Sequence, residues 1–173
     1  MLDYSKFLNK NKIPIFLFHG VTKKKVNYKI RNYNRKHIDK DYFYKVCLKL
    51  KRIGNPISMD QIHQIISKKK KIPPYSFGVT FDDGFLNNYS VAAPILKDLN
   101  LPTTFYITTN FVDKNYMVWA DRLERILEEN SKNKIEVPWG SFKVSTNKDK
   151  IFFLRNLRRI FKSKNSYDFD NIT

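Results

Sequence analysis

Short apolar runs alternate with amphipathic stretches along the first two thirds of the chain. Residues 39–54 and 88–100 have apolar positions at helical spacing, which predicts two amphipathic helices. Continuous apolar runs bounded by turn residues are typical of buried strands. Three are present: IPIFLFHGV (13–21), YSFGVTF (75–81) and LPTTFYITTNF (101–111). Strand, helix and strand at these lengths predict a βαβ unit, and hence an α/β fold with a parallel sheet and a right-handed crossover.

The ends of the helices carry recognisable signals. The helix of residues 39–54 begins with acidic residues and stops at glycine, as helices commonly do. Ser58 is the expected N-cap of a short second helix that closes in the lysines 68–71, whose charge suits a helix C-terminus. Pro94 lies inside the helix of residues 88–100, so we expect it to kink this helix or to mark its true first turn.

The last third of the chain has a looser pattern. Residues 117–130 predict a helix, residues 134–146 a hairpin around Trp139 and Gly140, and residues 148–164 a basic amphipathic helix. The chain has 173 residues, of which 42% are hydrophobic. This length suits one domain rather than two, so we expect one folded unit around a single core.

The net charge indicates which classes of molecule the protein would attract. The sequence has 33 Lys and Arg against 16 Asp and Glu, a formal net charge of +17. Such a field attracts nucleic acids, anionic glycans and acidic lipid head groups, so a basic polyanion-binding module is one hypothesis. No helix-turn-helix, zinc-finger or RNA-binding signature accompanies the charge, and we expect no nucleic acid partner. Compositional drift also explains the lysines, which occur in short runs beside many Asn and Ile residues.

The single cysteine excludes an internal disulfide and a zinc site built from cysteines. Cys47 lies among apolar residues at helical spacing, so we expect it to be a small core residue. The first dozen residues contain no apolar signal-peptide region, and no stretch of the sequence approaches the roughly 18 apolar residues of a transmembrane helix. These features predict a cytoplasmic protein.

Two adjacent acids stand out in VTFDDGF, residues 79–85. Functional sites of parallel α/β proteins collect at the C-terminal ends of strands, where Asp82 and Asp83 fall, and Gly84 permits a tight turn. Successive strand residues point to opposite sides, so one acid can bind a metal while the other faces a substrate water. The alternative is that either acid caps the helix beginning near Asn87.

VTFDDGF resembles the T-F-D-D-G motif of the polysaccharide deacetylases, the NodB-like carbohydrate esterases. Three other segments resemble the same family in the same order. Residues 13–21 resemble its opening strand, I-P-x-L-x-Y-H-x-V, and residues 40–62 resemble its F-x-x-x-L-x-x-L-x-x-x-G-x-P-I-S-x-D-x-L stretch. Residues 87–112 resemble the helix and strand that follow the motif. The resemblance covers residues 13–130, and an ordered series is far more specific than five residues alone.

This resemblance implies a metal-dependent hydrolase with a distorted (β/α) barrel. The family removes acetyl groups from N-acetylated sugars, which implies an N-acetylated carbohydrate or cell-surface polysaccharide as substrate. By position, Asp82 matches the catalytic base of the family and Asp83 its metal-binding aspartate. A divalent ion, usually zinc, lowers the pKa of a bound water to about 7, and a nearby carboxylate can accept the proton of that water.

The family completes its metal site with two histidines four positions apart, in an H-S/T-x-x-H motif. The three histidines here, His19, His37 and His63, all precede VTFDDGF and none is so spaced. The later arginine and the final Asp and His motifs of the family are also missing. We therefore expect the N-terminal part of a deacetylase, with an incomplete barrel, from a truncated gene, a split gene or a fragment. We expect residues 131–173 to be an insertion that one branch of the family carries.

Alternatives follow from the missing ligands. The chain is an inactive remnant, or a subunit that becomes an enzyme only with a complementary chain carrying the histidine motif. His19 ends the first strand, so it lines the pocket of the barrel or is an ordinary hydrogen-bonded strand-end residue. We assign no chemistry to His37, in a polar loop, or to His63, on a helix. Half a barrel should leave an open sheet edge and an uncovered apolar face.

Overall fold

The protein divides into two compact units. The structure is a computed structural model that describes residues 3–23, 29–110 and 117–163. Met1–Val26 and Lys36–Thr109 form the first unit, and Asn27–Arg35 and Asn110–Thr173 form the second. Buried apolar residues accordingly fall into two separate clusters. The expectation of a single core is therefore wrong, because the last third of the chain buries its apolar faces in a cluster of its own.

The first unit alternates strands and helices. A 3₁₀ turn at Tyr4–Phe7 precedes the first strand, and a π-helical turn at Asn88–Ala92 precedes the third helix. The main elements are, in order, β1 (Ile15–Phe18), β2 (Gly20–Thr22), β3 (His37–Asp39), α1 (Lys40–Ile53), β4 (Asn55–Pro56), α2 (Met59–Ser67), β5 (Ser76–Phe81), α3 (Ala93–Asp98) and β6 (Thr103–Phe105).

Strand β5 is the centre of a four-stranded sheet in which every pairing is parallel. It pairs with β1 along one side, where Phe18 lies opposite Phe81. On the other side it pairs with β4 near its start and with β6 near its end, where Phe105 lies opposite Phe81. The predicted parallel sheet and the βαβ unit of β5, α3 and β6 are thus confirmed.

The run of residues 13–21 is two strands rather than the single strand we expected. β1 ends at Phe18, and the chain resumes at Gly20 as β2, which pairs in parallel with β3 in a separate small sheet. His19 is the residue between them. The residues before and after His19 are equally apolar. The hydrophobic pattern therefore does not show that β1 pairs with β5 whereas β2 pairs with β3.

The core of the first unit lies between the sheet and helices α1 and α3. All six residues of β5 are buried. Helix α2 covers the opposite face of the sheet, since a Cβ added to Gly78 would lie 2.9 Å from the Ile62 side chain. On that opposite face, Ile15 and Leu17 of β1 remain about half exposed, at 46% and 51%. The sheet therefore has an incompletely covered apolar face, as expected for part of a barrel.

Local signals in the sequence set the ends of α1 and α2. The side chain of Asp39 accepts hydrogen bonds from two backbone N–H groups in the first turn of α1, and Gly54 follows the helix. Ser58 and Gln61 form a reciprocal capping box at the start of α2, which satisfies two of the N–H groups left free at a helix N-terminus. Helix α2 ends at Ser67, so the lysines expected in its last turn lie beyond it.

The predicted helix of residues 88–100 consists of two parts. Residues Asn88–Ala92 are π-helical, and α3 begins at Ala93 with Pro94 in its first turn. The residues before α3 are also helical, so Pro94 lies where the π-helical part changes to the α-helical part of one continuous segment. The choice between the two expected roles of Pro94 stays open.

A tight turn joins the end of β5 to this helical segment. Asp83 and Gly84 both have left-handed backbones, with φ of 70° and 72°. Glycine adopts this conformation without strain, whereas aspartate is one of the few other residues that tolerate it. A Cβ on Gly84 would also lie 3.2 Å from the Cα of Ile107. Gly84 is therefore required both by its conformation and by the close approach of a neighbouring backbone.

The second unit contains a hairpin and two helices. Its elements are α4 (Trp119–Glu129), β7 (Lys134–Val137), β8 (Gly140–Lys143) and α5 (Asn147–Ser163). The predicted hairpin is confirmed, since β7 and β8 are antiparallel and Val137 pairs with Gly140. The predicted helices are also present. The assignment of residues 131–173 to a branch-specific insertion stays a prediction.

A buried ion pair stabilises the second unit. Glu124 of α4 is only 3% exposed, and one carboxylate oxygen accepts a hydrogen bond from Arg158 of α5 at 2.6 Å. The other oxygen accepts the backbone N–H of Asn32 at 2.6 Å, and Arg158 also donates to the Tyr33 hydroxyl at 3.0 Å. These contacts join residues 32 and 33 to helices α4 and α5. Removing one partner would leave a buried charge uncompensated.

In the parts of the chain that the structure describes, no helix has the length and apolar character needed to cross a membrane.

We predict that the thiol of Cys47 is inert in the folded protein. Cys47 is 1% exposed, and burial raises its pKa from 9.0 to about 12. The unfolded chain therefore releases this proton above pH 9 while the folded chain retains it, so this group favours unfolding between pH 9 and pH 12. Thiol labelling at pH 8 should be slow in buffer and fast in urea. Rapid labelling of the native protein would contradict the buried position.

We predict that Gly84→Ala lowers the free energy of unfolding by about 1 to 3 kcal/mol, because alanine is strained at this φ and meets Ile107. Urea denaturation measures the change. Ser90→Ala is the control, since Ser90 is exposed and its replacement should change stability by less than about 0.5 kcal/mol. Equal stability of wild type and Gly84→Ala would show that the turn adopts another conformation.

Candidate functional site

The sheet brings the ends of β1, β5 and β6 to one edge. Asp82 directly follows β5, and its backbone N–H donates to the carbonyl of Phe18 at 3.0 Å. Tyr106, the first residue after β6, donates its N–H to the carbonyl of Phe81 at 2.8 Å. Asp82 and Asp83 therefore lie at the C-terminal edge of a parallel sheet, as predicted, and this is where such folds collect functional groups.

The carboxylates of Asp82 and Asp83 have no hydrogen-bond or ion-pair partner among the described residues. Both side chains are partly buried. The alternative role as a helix cap is not observed, because the residue before the π-helical turn is Asn87 and no side chain caps that turn. A partly buried carboxylate without a protein partner loses hydration without compensation. Two of them in succession thus form a candidate site for a cation, a proton or a polar substrate.

His19 lies at the same edge as the two acids. It follows Phe18, which is paired with Phe81, so His19 and Asp82 occupy neighbouring positions on adjacent strands. His19 is partly buried. This placement fits a residue that lines the pocket, although its role stays a prediction. His63 is exposed on α2.

His37 is a residue that the sequence analysis missed. It lies in β3 and is partly buried, whereas we expected it in a polar loop. The Asn87 carbonyl oxygen accepts the backbone N–H of Val21 at 3.4 Å, so its amide nitrogen faces Nδ1 of His37, at 3.2 Å. An amide nitrogen only donates, so Nδ1 of His37 is the acceptor in this contact. The His37 ring also packs edge-on against Phe85, at 4.6 Å between ring centroids.

These contacts connect the β2–β3 pair to the turn that holds the acids. Phe85 directly follows Gly84, Asn87 comes two residues later, and both contact His37. A Cβ on Gly20 would overlap the His37 ring. Gly20 is the sequence signal that the His37 ring approaches this backbone closely. A glycine at the start of a strand does not, however, show which residue packs against it.

The described residues do not provide a complete metal site. No group of three His, Cys, Asp or Glu side chains that could hold a metal ion occurs within residues 3–23, 29–110 and 117–163. Catalytic zinc normally has three protein ligands and a water. Asp83 can therefore supply one ligand, but this part of the chain does not fit a metal on its own.

A cavity of about 200 Å³ adjoins the turn. Gly84, Phe85 and Asn88 line one part of it, and Phe105 and Ile107, at the end of β6, line another. Asn88 is 4% exposed, and neither atom of its side-chain amide has a hydrogen-bond partner in the part of the chain that the structure describes. Buried amides are nearly always paired. The cavity thus has mainly apolar walls, and the amide of Asn88 is buried beside it rather than open to it.

Comparison with known protein families gives a match to part of the chain. The family model described as polysaccharide deacetylase matches residues 69–137, a segment that contains β5, both acids, α3 and β6. A search of curated proteins finds no significant match.

Solved structures of deacetylases are similar to this chain. IcaB from Ammonifex degensii is 20% identical, with a TM-score of 0.51 over 67% of this chain and 48% of its own. The Streptococcus pyogenes deacetylase PplD is 21% identical, with a TM-score of 0.49 over 65% of this chain and 50% of its own. A de-N-acetylase from Aggregatibacter actinomycetemcomitans is 19% identical, with a TM-score of 0.47 over 84% of this chain and 51% of its own.

The chain spans about half the length of these structures. The likeness to IcaB shows the fold, which is part of a (β/α) barrel with parallel strands, as predicted. The match of residues 69–137 places the predicted motif within the family model. Sequence motif, sheet topology and family model thus agree, and residues 69–137 match the polysaccharide deacetylase family.

Proposed function

We propose that this chain is part of a hydrolase that removes N-acetyl groups from a carbohydrate, with a cell-surface polysaccharide as the substrate class. The observation that carries the proposal is the pair of carboxylates, Asp82 and Asp83, at the C-terminal end of the central strand, which have no partner among the described residues. Hydrolysis of an amide needs a base for the attacking water. An unpartnered carboxylate at an open strand end can act as that base.

In this proposal Asp82 accepts a proton from water as its oxygen attacks the acetyl carbonyl carbon. The C–N bond then breaks, acetate forms, and the sugar nitrogen takes up a proton and leaves as an amine. The backbone of Asp82 is fixed by its hydrogen bond to Phe18 at 3.0 Å. A base on rigid backbone can hold its carboxylate within hydrogen-bond reach of the water, which is the first requirement for general base catalysis.

Asp83 has a different role in the proposal, as one ligand of a divalent metal ion, with zinc the candidate. Its left-handed backbone interrupts the alternation of the strand, so its side chain need not point where a regular strand would place it. At least one further ligand has to come from outside the described residues, because these contain no group of three suitable side chains.

A complementary chain that carries the missing histidine motif is our proposal for the source of these ligands. The apolar surface of the first unit supports it. Ile15 and Leu17 are about half exposed on one face of the sheet, and Tyr106 and Ile107, just after β6, are 49% and 60% exposed. Exposed apolar residues at a sheet edge and face favour association with another chain. The chain on its own would then be catalytically inactive.

We predict that the isolated 173-residue protein binds Zn²⁺ weakly and has negligible deacetylase activity, because one ligand of three is insufficient. Titration calorimetry should give a dissociation constant above the micromolar range. A sub-micromolar affinity that is lost in Asp83→Ala would overturn the prediction. It would show that His19 or another group completes a site.

We predict that replacing Asp82 and replacing Asp83 have different effects on an enzyme formed by this chain and a complementary chain. Asp83→Asn should lower metal affinity and activity, and excess Zn²⁺ should restore part of that activity. Asp82→Asn should leave metal binding close to wild type but reduce kcat by about 10²- to 10⁴-fold, with no rescue by metal. Asparagine is the suitable replacement at position 83 because it also tolerates a left-handed backbone.

The exposed Asp98 of α3 provides a matched control, since Asp98→Asn removes the same charge away from the strand ends. This variant should keep full activity and metal affinity. Circular dichroism checks that all three variants fold. The proposed roles are reversed if Asp82→Asn abolishes metal binding while Asp83→Asn spares it, and both roles are wrong if the two variants remain fully active.

A further inference from the structure

Helix α5 carries a row of exposed side chains on the side that faces away from the core of the second unit. Four side chains form this row, which we call the basic stripe: Lys148, Phe152, Arg155 and Arg159. In a regular α-helix these positions fall within about 60° of the helix circumference. The buried Phe153, Leu154 and Leu157 are centred on the opposite side. Packing against the core therefore does not explain the basic stripe.

The three cations of the basic stripe keep their charge. None of them forms an ion pair with another described residue. The one acidic residue of α5 is Asp149, whose carboxylate accepts the backbone N–H of Thr146 at 3.0 Å, at the start of the helix. The guanidinium of Arg155 lies 6.0 Å from the centre of the Tyr33 ring, a contact that orients the side chain without neutralising it. The basic stripe is therefore a locally positive surface.

The basic stripe lies on a helix that the protein itself holds in place. Arg158 of α5 donates to the buried Glu124 at 2.6 Å, and the apolar side of α5 is buried in the second cluster. Binding through the basic stripe thus needs no folding of α5. From Lys148 to Arg159 the stripe is about 16 Å long, since each helical residue adds roughly 1.5 Å. A flat surface can contact all four side chains of such a straight row at once.

The exposed ring of Phe152 indicates the kind of surface. Phe152 is 64% exposed and lies about one helical turn from both Lys148 and Arg155. Helices that bind at a membrane surface place aromatic side chains in the headgroup region, while their Lys and Arg residues attract anionic lipids. A duplex nucleic acid or an acidic glycan would offer partners to the cations but leave the ring in water. The combination of ring and cations therefore favours a lipid surface.

We propose that the basic stripe binds the second unit to the surface of a bilayer that contains anionic lipids. Phe152 inserts among the headgroups, and the three cations lie beside lipid phosphates. The net charge of the whole chain, +17, adds a long-range attraction of the same sign. The basic stripe includes neither Asp82 nor Asp83, and its binding depends on no step of the proposed hydrolysis.

The test is binding of the full 173-residue chain to lipid vesicles, measured by co-sedimentation. Vesicles of phosphatidylcholine and phosphatidylglycerol, at a ratio of about three to one, are compared with vesicles of phosphatidylcholine alone. We expect the anionic vesicles to bind at least about tenfold more tightly, because each cation near the surface adds to the attraction. Added salt should weaken this binding, since it screens exposed charges.

Two charge-matched variants separate the basic stripe from the net charge of the chain. The stripe variant carries three substitutions: Lys148→Gln, Arg155→Gln and Arg159→Gln. The control variant changes three exposed lysines that follow α2: Lys68→Gln, Lys70→Gln and Lys71→Gln. Both variants lose three positive charges. The stripe variant should lose at least about tenfold in affinity for anionic vesicles, and the control less than about threefold. Glutamine has nearly the helix propensity of lysine and arginine, so Tm should change little in either variant.

A second pair of variants tests the ring. Phe152→Ala should weaken binding to anionic vesicles about threefold or more, because the ring no longer enters the headgroup region. Phe7→Ala removes the same group from an exposed position in the first unit, where Phe7 is 50% exposed. This control should bind like the wild type. Circular dichroism checks that both variants fold.

The proposal is wrong if the chain binds both kinds of vesicle equally or binds neither. Equal losses in the stripe and control variants would show that net charge alone drives binding. Wild-type binding by Phe152→Ala would contradict insertion of the ring. Single-stranded DNA is the remaining competitor, because its bases can stack on an exposed ring. If a short single strand binds through the basic stripe more tightly than anionic vesicles do, the surface is a nucleic acid site instead.

Discussion

The complete burial of β5 is the constraint on which the first unit depends. Its residues from Ser76 to Phe81 are buried on both faces, with α1 and α3 packed on one side and α2 on the other. An ionised side chain within such a strand would lose its hydration without a partner. The acids therefore occur only where the strand ends, and the left-handed turn at Asp83 and Gly84 brings the chain out of the core at once. The requirement that buries β5 thus also places two carboxylates side by side at the sheet edge.

Much of this arrangement was predictable from the sequence, because local physical chemistry decides it. β5 is a continuous apolar run, Asp39 and Ser58 are favoured N-cap residues, and Asp83 and Gly84 belong to a motif at a strand end. Each of these features depends on residues within a few positions of one another. The hairpin at Val137 and Gly140 was predictable for the same reason.

Features that depend on distant residues were not predictable. His37 contacts Asn87, fifty positions away, and its sequence surroundings are those of a polar loop. Glu124 lies in a helix rich in charged residues, where a single acid is expected to face solvent, yet it is buried against Arg158 and the backbone of Asn32. The spacing of apolar residues does not predict such contacts, because the sequence around each partner has no feature that points to the other. The division into two cores escaped prediction for the same reason.

The contact between Gly20, His37 and Asn87 has a consequence for the order of folding. These residues come from β2, from β3 and from the segment after the acidic turn, so the contact closes loops of 17 and 50 residues. Closing long loops costs chain entropy before the contacts they permit are made, and such contacts form late. The pairing of Ile15 with Gly78 in the main sheet closes an even longer loop, so the core of the first unit is itself non-local. We therefore expect the turn that carries Asp82 and Asp83 to become fixed against β3 in the same cooperative step that forms the core.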